Sequence, residues 1–376
     1  MTVNILYLVH DLYDPAVHKR ILMLKSGGAE VTIAGFRRVP QEINNLAGCN
    51  TINLGQTYNA GFAQRFLAII REIIFLKKHK EVFLSNEIII ARNLEMLVIA
   101  VRGRYMCKNK PVLVYESLDI HRLLLRKDII GKLLRWLEGW LSQRASLLIT
   151  SSPAFIREYF EKTSKVRLPI KLIENKVFLP EENPVIDNSH IPQKPWKIGW
   201  FGAIRCRRSL EFLSELVKSS NGNVEVIIRG RPSLDQFADF HKSVTSIEGI
   251  KFLGEYKNPD DLAKIYSEVH FTWAIDMFEE NLNSSWLLPN RLYEGCLYGS
   301  VPIAMENVET GRFISALGIG VCIKKLQKEF LFNFFNALTV ERYCNMKKNL
   351  VEISNDSWSH SINFCEELVT HLRTHR

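Results

Sequence analysis

Three groups of polar side chains in this sequence have spacings that chemistry could use. Asn290 and Glu294 are four residues apart and Arg291 and Glu294 three apart, so a helix through them sets an amide, a guanidinium and a carboxylate on one face. Pro289 stands just before them, where a first helical turn accepts proline because the N–H it lacks would be unpaired anyway. At such a helix start the arginine and the open amides suit a phosphate, and the carboxylate can accept two vicinal ribose hydroxyls. An ordinary exposed Arg–Glu pair explains the same spacing. The second group, Glu116-Ser117-Leu118-Asp119-Ile120-His121, gathers carboxylates and an imidazole, the types that take a proton from a sugar hydroxyl. Asp119 is the first choice of base and His121 its rival; a helix capped by Asp119 is the alternative. The third group is Arg205-Cys206-Arg207-Arg208, just past Gly202, which reads as a diphosphate site at Arg205 and Arg208 or as a solvated basic loop.

The elements needed to position these groups can be read from the apolar runs. Ile5 to Val9 is a strand, Ala16 to Ser26 a helix ended by Gly27-Gly28, and Val31 to Phe36 a second strand. This βαβ start predicts a doubly wound parallel sheet, whose strand-end loops face the ligand. It brings His10, Asp11, Asp14, His18 and Arg20 forward as cleft candidates, with Asp14 and His18 as the acceptor-side choices; Asp14 as a mere helix cap is the plain alternative. Glu87–Ala91, Val112–Glu116 and Leu147–Thr150 read as further strands, with Arg92 to Glu95 as a loop. Leu179 to Pro195, with four prolines, reads as a linker. A second series follows: strands at Trp196–Gly202, Val224–Gly230 and Val269–Asp276, a helix from about Leu210 and another at Leu262–Ser267, and the long polar loop Met277–Leu288. The Pro289 helix then runs to Tyr298, stopped by Gly299, and Val301 to Ala304 is a buried strand. The expected division is 1–178, a linker 179–195, 196–356, and a C-terminal helix 357–376.

The segment Pro289-Asn290-Arg291-Leu292-Tyr293-Glu294, then Gly299 and Val301-Pro302-Ile303, resembles the donor-nucleotide helix of GT-B glycosyltransferases. The resemblance is to glycosyltransferase family 4 and group 1 enzymes of bacterial surface polysaccharide synthesis. It extends over 196–305 and more loosely over 1–175. It implies two Rossmann-like domains facing a central cleft, acceptor on the first and a UDP-linked nucleotide sugar on the second. It implies that Glu294 holds the ribose, that Gly202, Arg205, Arg208 and Arg231 serve the diphosphate, and that Phe252, Gly254 and Tyr256 lie along the base. Many retaining members carry a second glutamate eight positions earlier, where this chain has Trp286. The C-terminal helix is expected to cross back to the first domain. No metal is expected, because arginines and helix dipoles can neutralise the leaving diphosphate and no D-x-D motif occurs.

Composition narrows the class. The chain has 376 residues and 47% hydrophobic side chains, with no apolar run long enough to span a bilayer. No cleavable leader is read at the start, and seven scattered cysteines without metal spacing fit a reduced cytoplasm. Residues 1–190 hold 27 Lys+Arg against 18 Asp+Glu and residues 191–376 hold 22 against 22, so the first half carries the whole net +9. Phe62–Lys80 and Arg122–Arg144 are basic, aromatic, amphipathic stretches there. Core-facing helices with a solvated basic side would look the same, but the pair favours peripheral contact with an anionic membrane and a lipid-linked saccharide acceptor. A GT-B nucleotide-sugar 2-epimerase is the alternative enzyme. A nucleic-acid-binding protein would explain the charge, but no recognised motif is present and the Glu294 group would be left without a purpose.

Overall fold

The computed structural model describes residues 2–38, 43–57, 71–180 and 192–375. The chain forms two compact units, Met1–Glu174 with His360–Arg376, and Asn175–Ser359.

In the first unit the strands are β1 (Val3–Val9), β2 (Ala29–Arg37), β3 (Asn45–Leu46), β4 (Cys49–Gln56), β5 (Ile88–Arg92), β6 (Val112–Ser117), β7 (Leu147–Thr150) and β8 (Ile170–Leu172). They lie in the order β3-β4-β2-β1-β5-β6-β7-β8, parallel throughout except the β3–β4 hairpin. Runs such as Ile88-Ile89-Ile90-Ala91 are buried on both faces, which is why they read as unbroken apolar stretches. Strand order reverses between β1 and β5, the place where open α/β sheets take ligands. Helix α1 (Pro15–Ser26) starts one residue before the expected Ala16, because Asp14 caps it by accepting from the Ala16 amide and proline tolerates the first turn. A Cβ on Gly27 would lie 2.3 Å from the Cys365 carbonyl oxygen, so glycine lets the C-terminal helix Ile362–Thr374 close on the end of α1.

The second unit begins with β9 (Val177–Phe178), whose Val177 amide donates to the Trp358 carbonyl. Its main sheet is β10 (Trp196–Ile204), β11 (Val224–Pro232), β12 (Ile250–Phe252), β13 (Phe271–Trp273), β14 (Val301–Met305) and β15 (Val321–Ile323), in the order β12-β11-β10-β13-β14-β15. The reversal here falls between β10 and β13. Trp196, Trp200 and Trp273 are fully buried beneath the sheet, each worth about 4–6 kcal/mol by area burial.

Several local expectations change. Arg92 to Glu95 is not a loop: β5 passes straight into helix α2 (Asn93–Arg104), with Asn93 at φ 71, a left-handed conformation that asparagine tolerates. Of Arg122–Arg144 only α3 (Ile129–Ser142) is helical, begun by Asp128, which accepts from the Gly131 amide. Phe155–Phe160 winds as a π-helix. The helix expected from Leu210 starts at Arg207, as α4 (Arg207–Ser219), so Arg207 and Arg208 lie within its first turn rather than before it. Within Met277–Leu288 there is one helical turn, Asn283–Trp286. Of the expected basic helix Phe62–Lys80, residues 62–70 lie outside the described residues; 71–75 are helical and Leu76–His79 form a 3-10 turn. Most of the expected linker, 181–191, also lies outside them. The β3–β4 hairpin was not expected, because its Asn, Gln, Gly and Thr residues give no apolar signal.

Candidate active site

Three adjacent strands of the second unit carry a glycine near their carboxyl ends, Gly202 two residues before the end of β10, Gly230 two before the end of β11 and Gly254 two past β12. Gly202 of β10 pairs with Gly230 of β11, and the Gly230 amide donates 2.8 Å to the Gly254 carbonyl. Gly230, at φ 128, could carry no side chain, since a Cβ would lie 1.9 Å from the Gly202 carbonyl oxygen. The sheet edge is thereby low and close-packed. Beside it, at the point of strand reversal, β13 delivers Asp276.

Asp276 gathers two of the expected arginines. Arg205 Nη2 donates to its Oδ2 at 3.1 Å, and Arg291 Nη2 stands 3.8 Å from the same oxygen. Burial opposes the Asp276 charge, but Arg291 and then Arg205 hold its carboxyl below the usual range. Arg205 also lies 4.8 Å over the Phe278 ring. Arg291 is 7% exposed and donates 3.0 Å to the Ile275 carbonyl, while its buried Nε makes no hydrogen bond among the described residues. The helix that carries it, α5 (Asn290–Leu297), is entered through Pro289, which offers no side-chain cap. Its first-turn amides and a partly satisfied guanidinium therefore share one end.

Glu294, one turn further on, is 5% exposed and accepts from Asn258 Nδ2 at 2.8 Å on Oε1 and from the Tyr266 hydroxyl at 2.9 Å on Oε2. The surface-pair alternative thus fails. Tyr256 is close by: burial, then the Glu294 charge, raises its phenol, and its hydroxyl would lie 3.9 Å from a Cβ on Gly202. Gly202, Tyr256, Arg205, Arg291 and Glu294 are accordingly brought to one region.

The remaining expected donor residues have other surroundings. Arg208 is exposed and pairs with Glu280 of the 277–288 loop, and Arg231 is exposed and pairs with Glu255 at 2.8 Å. Phe252 turns into the core, edge-on to Phe240 at 5.1 Å. Asn290 is exposed at the helix start. Trp286 is half-buried on the one-turn helix.

The first unit has its own polar centre, at its own strand reversal. Glu116 is, as the strand Val112–Glu116 implied, within β6; it is fully buried and accepts from Tyr7 at 2.5 Å and from Arg20 Nε at 2.8 Å. Arg92 donates to the Tyr7 hydroxyl at 3.2 Å and to Asp14 at 3.0 Å. Burial works against the Asp14 charge, yet Arg92, then His10, keep it below the ordinary aspartate range. Asp14 is both helix cap and ion-pair partner, so it caps α1 without being a mere cap. His18 is half-buried on α1. Asp119 and His121 are both exposed past β6, and no helix starts at Asp119. His121 Nδ1 accepts from the Leu123 amide at 3.3 Å, which puts the neutral ring's proton on Nε2.

Sequence reasoning missed Asp276, Asn258 and Tyr266. Asp276 carried a signal, a lone carboxylate ending an apolar strand; the other two are distant in sequence from Glu294 and carried none.

No family model matches the chain. It is 47% identical over 377 residues to the succinoglycan biosynthesis protein ExoL of Rhizobium meliloti, covering 99% of this chain and 93% of that protein. Among solved structures it is similar to the sucrose-phosphate synthase of Thermosynechococcus elongatus, with TM-score 0.72 and 12% identity over 99% of this chain and 98% of that one. Anabaena HepE in complex with UDP gives 0.70 and 14%, over the whole of both chains. Two doubly wound parallel sheets, the strand reversals within them and these likenesses agree, and the chain belongs to the family of the succinoglycan biosynthesis protein ExoL, with the GT-B fold of glycosyltransferases.

Proposed function

We propose that the protein is a glycosyltransferase of bacterial polysaccharide synthesis that moves a sugar from a UDP-linked donor to a lipid-linked saccharide acceptor at the cytoplasmic face of an anionic membrane. The observation that carries this reading is Arg291, buried at the uncapped start of α5 with an unbonded Nε, one turn from Glu294. Arg205, Arg291 and the helix amides receive the diphosphate, a task that needs no metal because they supply the positive potential themselves. Glu294 takes the ribose hydroxyls, which exchange with the exposed Asn258 amide on Oε1. The shared fold with HepE, described in complex with UDP, supports the choice of base. On the first unit Asp119 removes the acceptor hydroxyl's proton as that oxygen bonds to the anomeric carbon, and UDP leaves with the electron pair of the broken C–O bond.

Calorimetric titration with UDP tests the donor half. Glu294→Gln should weaken binding about 10- to 150-fold, the loss of hydrogen bonds to a charged group. Asp119→Asn should keep UDP affinity and slow transfer about 10²- to 10⁴-fold. Equal UDP affinity in the wild type and Glu294→Gln would sink the reading.

A further inference from the structure

Helix α3 is built inside out. Its buried positions are Gly131, Glu138, Gly139, Leu141 and Ser142, small or polar with one exception. Its outer stripe is Ile129, Leu133, Trp136 and Trp140, spaced four, three and four apart and exposed by 82%, 59%, 58% and 42%. The arrangement is fixed from within. Glu138 is fully buried and accepts from Tyr115 at 2.9 Å, Tyr159 at 2.7 Å and Ser164 at 2.9 Å, so turning the apolar stripe inward would strip a buried carboxyl of three donors. Gly139 permits the close approach, since a Cβ there would meet Lys165 at 2.4 Å.

The stripe continues into a cationic and aromatic surface. Trp136 and Trp140 stack at 6.4 Å, Arg144 lies 4.0 Å over Trp140 and donates to Tyr105 at 3.0 Å, and Lys110 stands 5.8 Å from the Tyr105 ring. Lys127 and Lys132 are exposed beside Ile129 and Leu133. The nearby carboxylates do not offset them: Asp128 is paired with Arg126, and Glu138 is interior, its carboxyl raised by burial.

We infer that the outward face of α3, with the Trp140–Arg144–Tyr105 surface, is the seat of the protein on an anionic lipid bilayer. The inference rests on the membrane reading above and names the surface that performs it. The charge decides among occupants. A second copy would bring the same basic rim against itself in a two-fold contact, whereas anionic headgroups match it. The apolar stripe is also suited to the headgroup–acyl boundary, where indole rings sit well, with lysine and arginine reaching outward to phosphates.

The test is co-sedimentation of the full chain with vesicles of pure phosphatidylcholine and of equal parts phosphatidylcholine and phosphatidylglycerol, with UDP binding as the check on folding. Wild type should partition to the anionic vesicles; Leu133→Gln/Trp136→Gln should lose at least about tenfold in partitioning at unchanged UDP affinity. Lys127→Gln/Lys132→Gln should lose mainly the preference for anionic lipid, and salt should mimic it. If Leu133→Gln/Trp136→Gln binds the anionic vesicles as tightly as wild type, this surface is wrong although the membrane reading stands. If wild type binds neither vesicle, the membrane reading itself falls. A dimer in sedimentation velocity that Leu133→Gln/Trp136→Gln abolishes would put a second copy in place of the bilayer.

Discussion

The two strand reversals of this protein hold similar groups to different ends. In the first unit two arginines meet two carboxylates: Arg20 is matched by Glu116 and Arg92 by Asp14, with the Tyr7 hydroxyl between them. In the second unit Arg205 and Arg291 both reach Asp276, while the second carboxylate, Glu294, stands one turn along α5. Buried ions are tolerated when paired, and a set in which each cation has its own carboxylate has little reason to recruit a ligand. Two guanidinium groups on one carboxylate leave more positive potential for an incoming anion. The glutamates repeat the contrast: Glu116 accepts a guanidinium and a phenol, Glu294 an amide and a phenol. A ribose hydroxyl can replace a neutral donor at little cost, but not a buried cation. Under the proposed function, chemically alike centres are a brace in one sheet and a receptor in the other.

The comparison is most exposed to failure at Glu116. Glu116→Gln should destabilise the protein by about 3–5 kcal/mol, because Arg20 is left buried without its counter-charge. Urea unfolding measures this, and UDP affinity of the folded fraction should not change; a stable variant that loses UDP would reverse the roles assigned to the two centres.

Two buried groups, one in each unit, should also answer acid with opposite signs. Burial, then Lys197 and Lys347, lowers the imidazole of His270 to about 4. A histidine depressed in the folded state contributes stability above its unfolded value of about 6.5, and loses up to about 3 kcal/mol as pH falls towards 4. Burial raises the carboxyl of Glu138 in the first unit, so falling pH stabilises its surroundings. Amide exchange should quicken around β13 and slow around α3 as pH is lowered, after correction for intrinsic rates, and His270→Gln should remove the first effect alone. The smallest effect is expected at Asn258. Asn258→Ala should cost UDP binding about 0.5–1.5 kcal/mol or improve it slightly, since the amide both orients Glu294 and competes with the ribose. A loss as large as that of Glu294→Gln would mean Asn258 touches the nucleotide itself.

The Pro289–Met305 segment was legible because its signals are local. Helix spacing of Asn290, Arg291 and Glu294, the proline entry, the stop at Gly299 and the apolar run Val301–Ala304 all lie within reach of each other along the chain, and the structure keeps each boundary to a residue. Arg205 and Arg208 looked equivalent in sequence. Only the fold separates them, by carrying the first to Asp276, 71 residues on, and turning the second out to Glu280. Glu116 and Asp119 likewise read as one polar group at a strand's carboxyl end, although strand pairing with β5 and β7 takes the first into the core and releases the second to solvent.

Periodicity of apolar residues and glycine placement are covalent facts, so the sequence by itself determined two doubly wound sheets, the helix after Pro289 and the uneven charge of the halves. Tertiary structure alone decided which charges are neutralised and which face of α3 looks outward, because those depend on groups far apart in the chain, such as Asn258 with Glu294 and Tyr115 with Glu138. Local spacing cannot encode a partner that arrives only when the sheet closes.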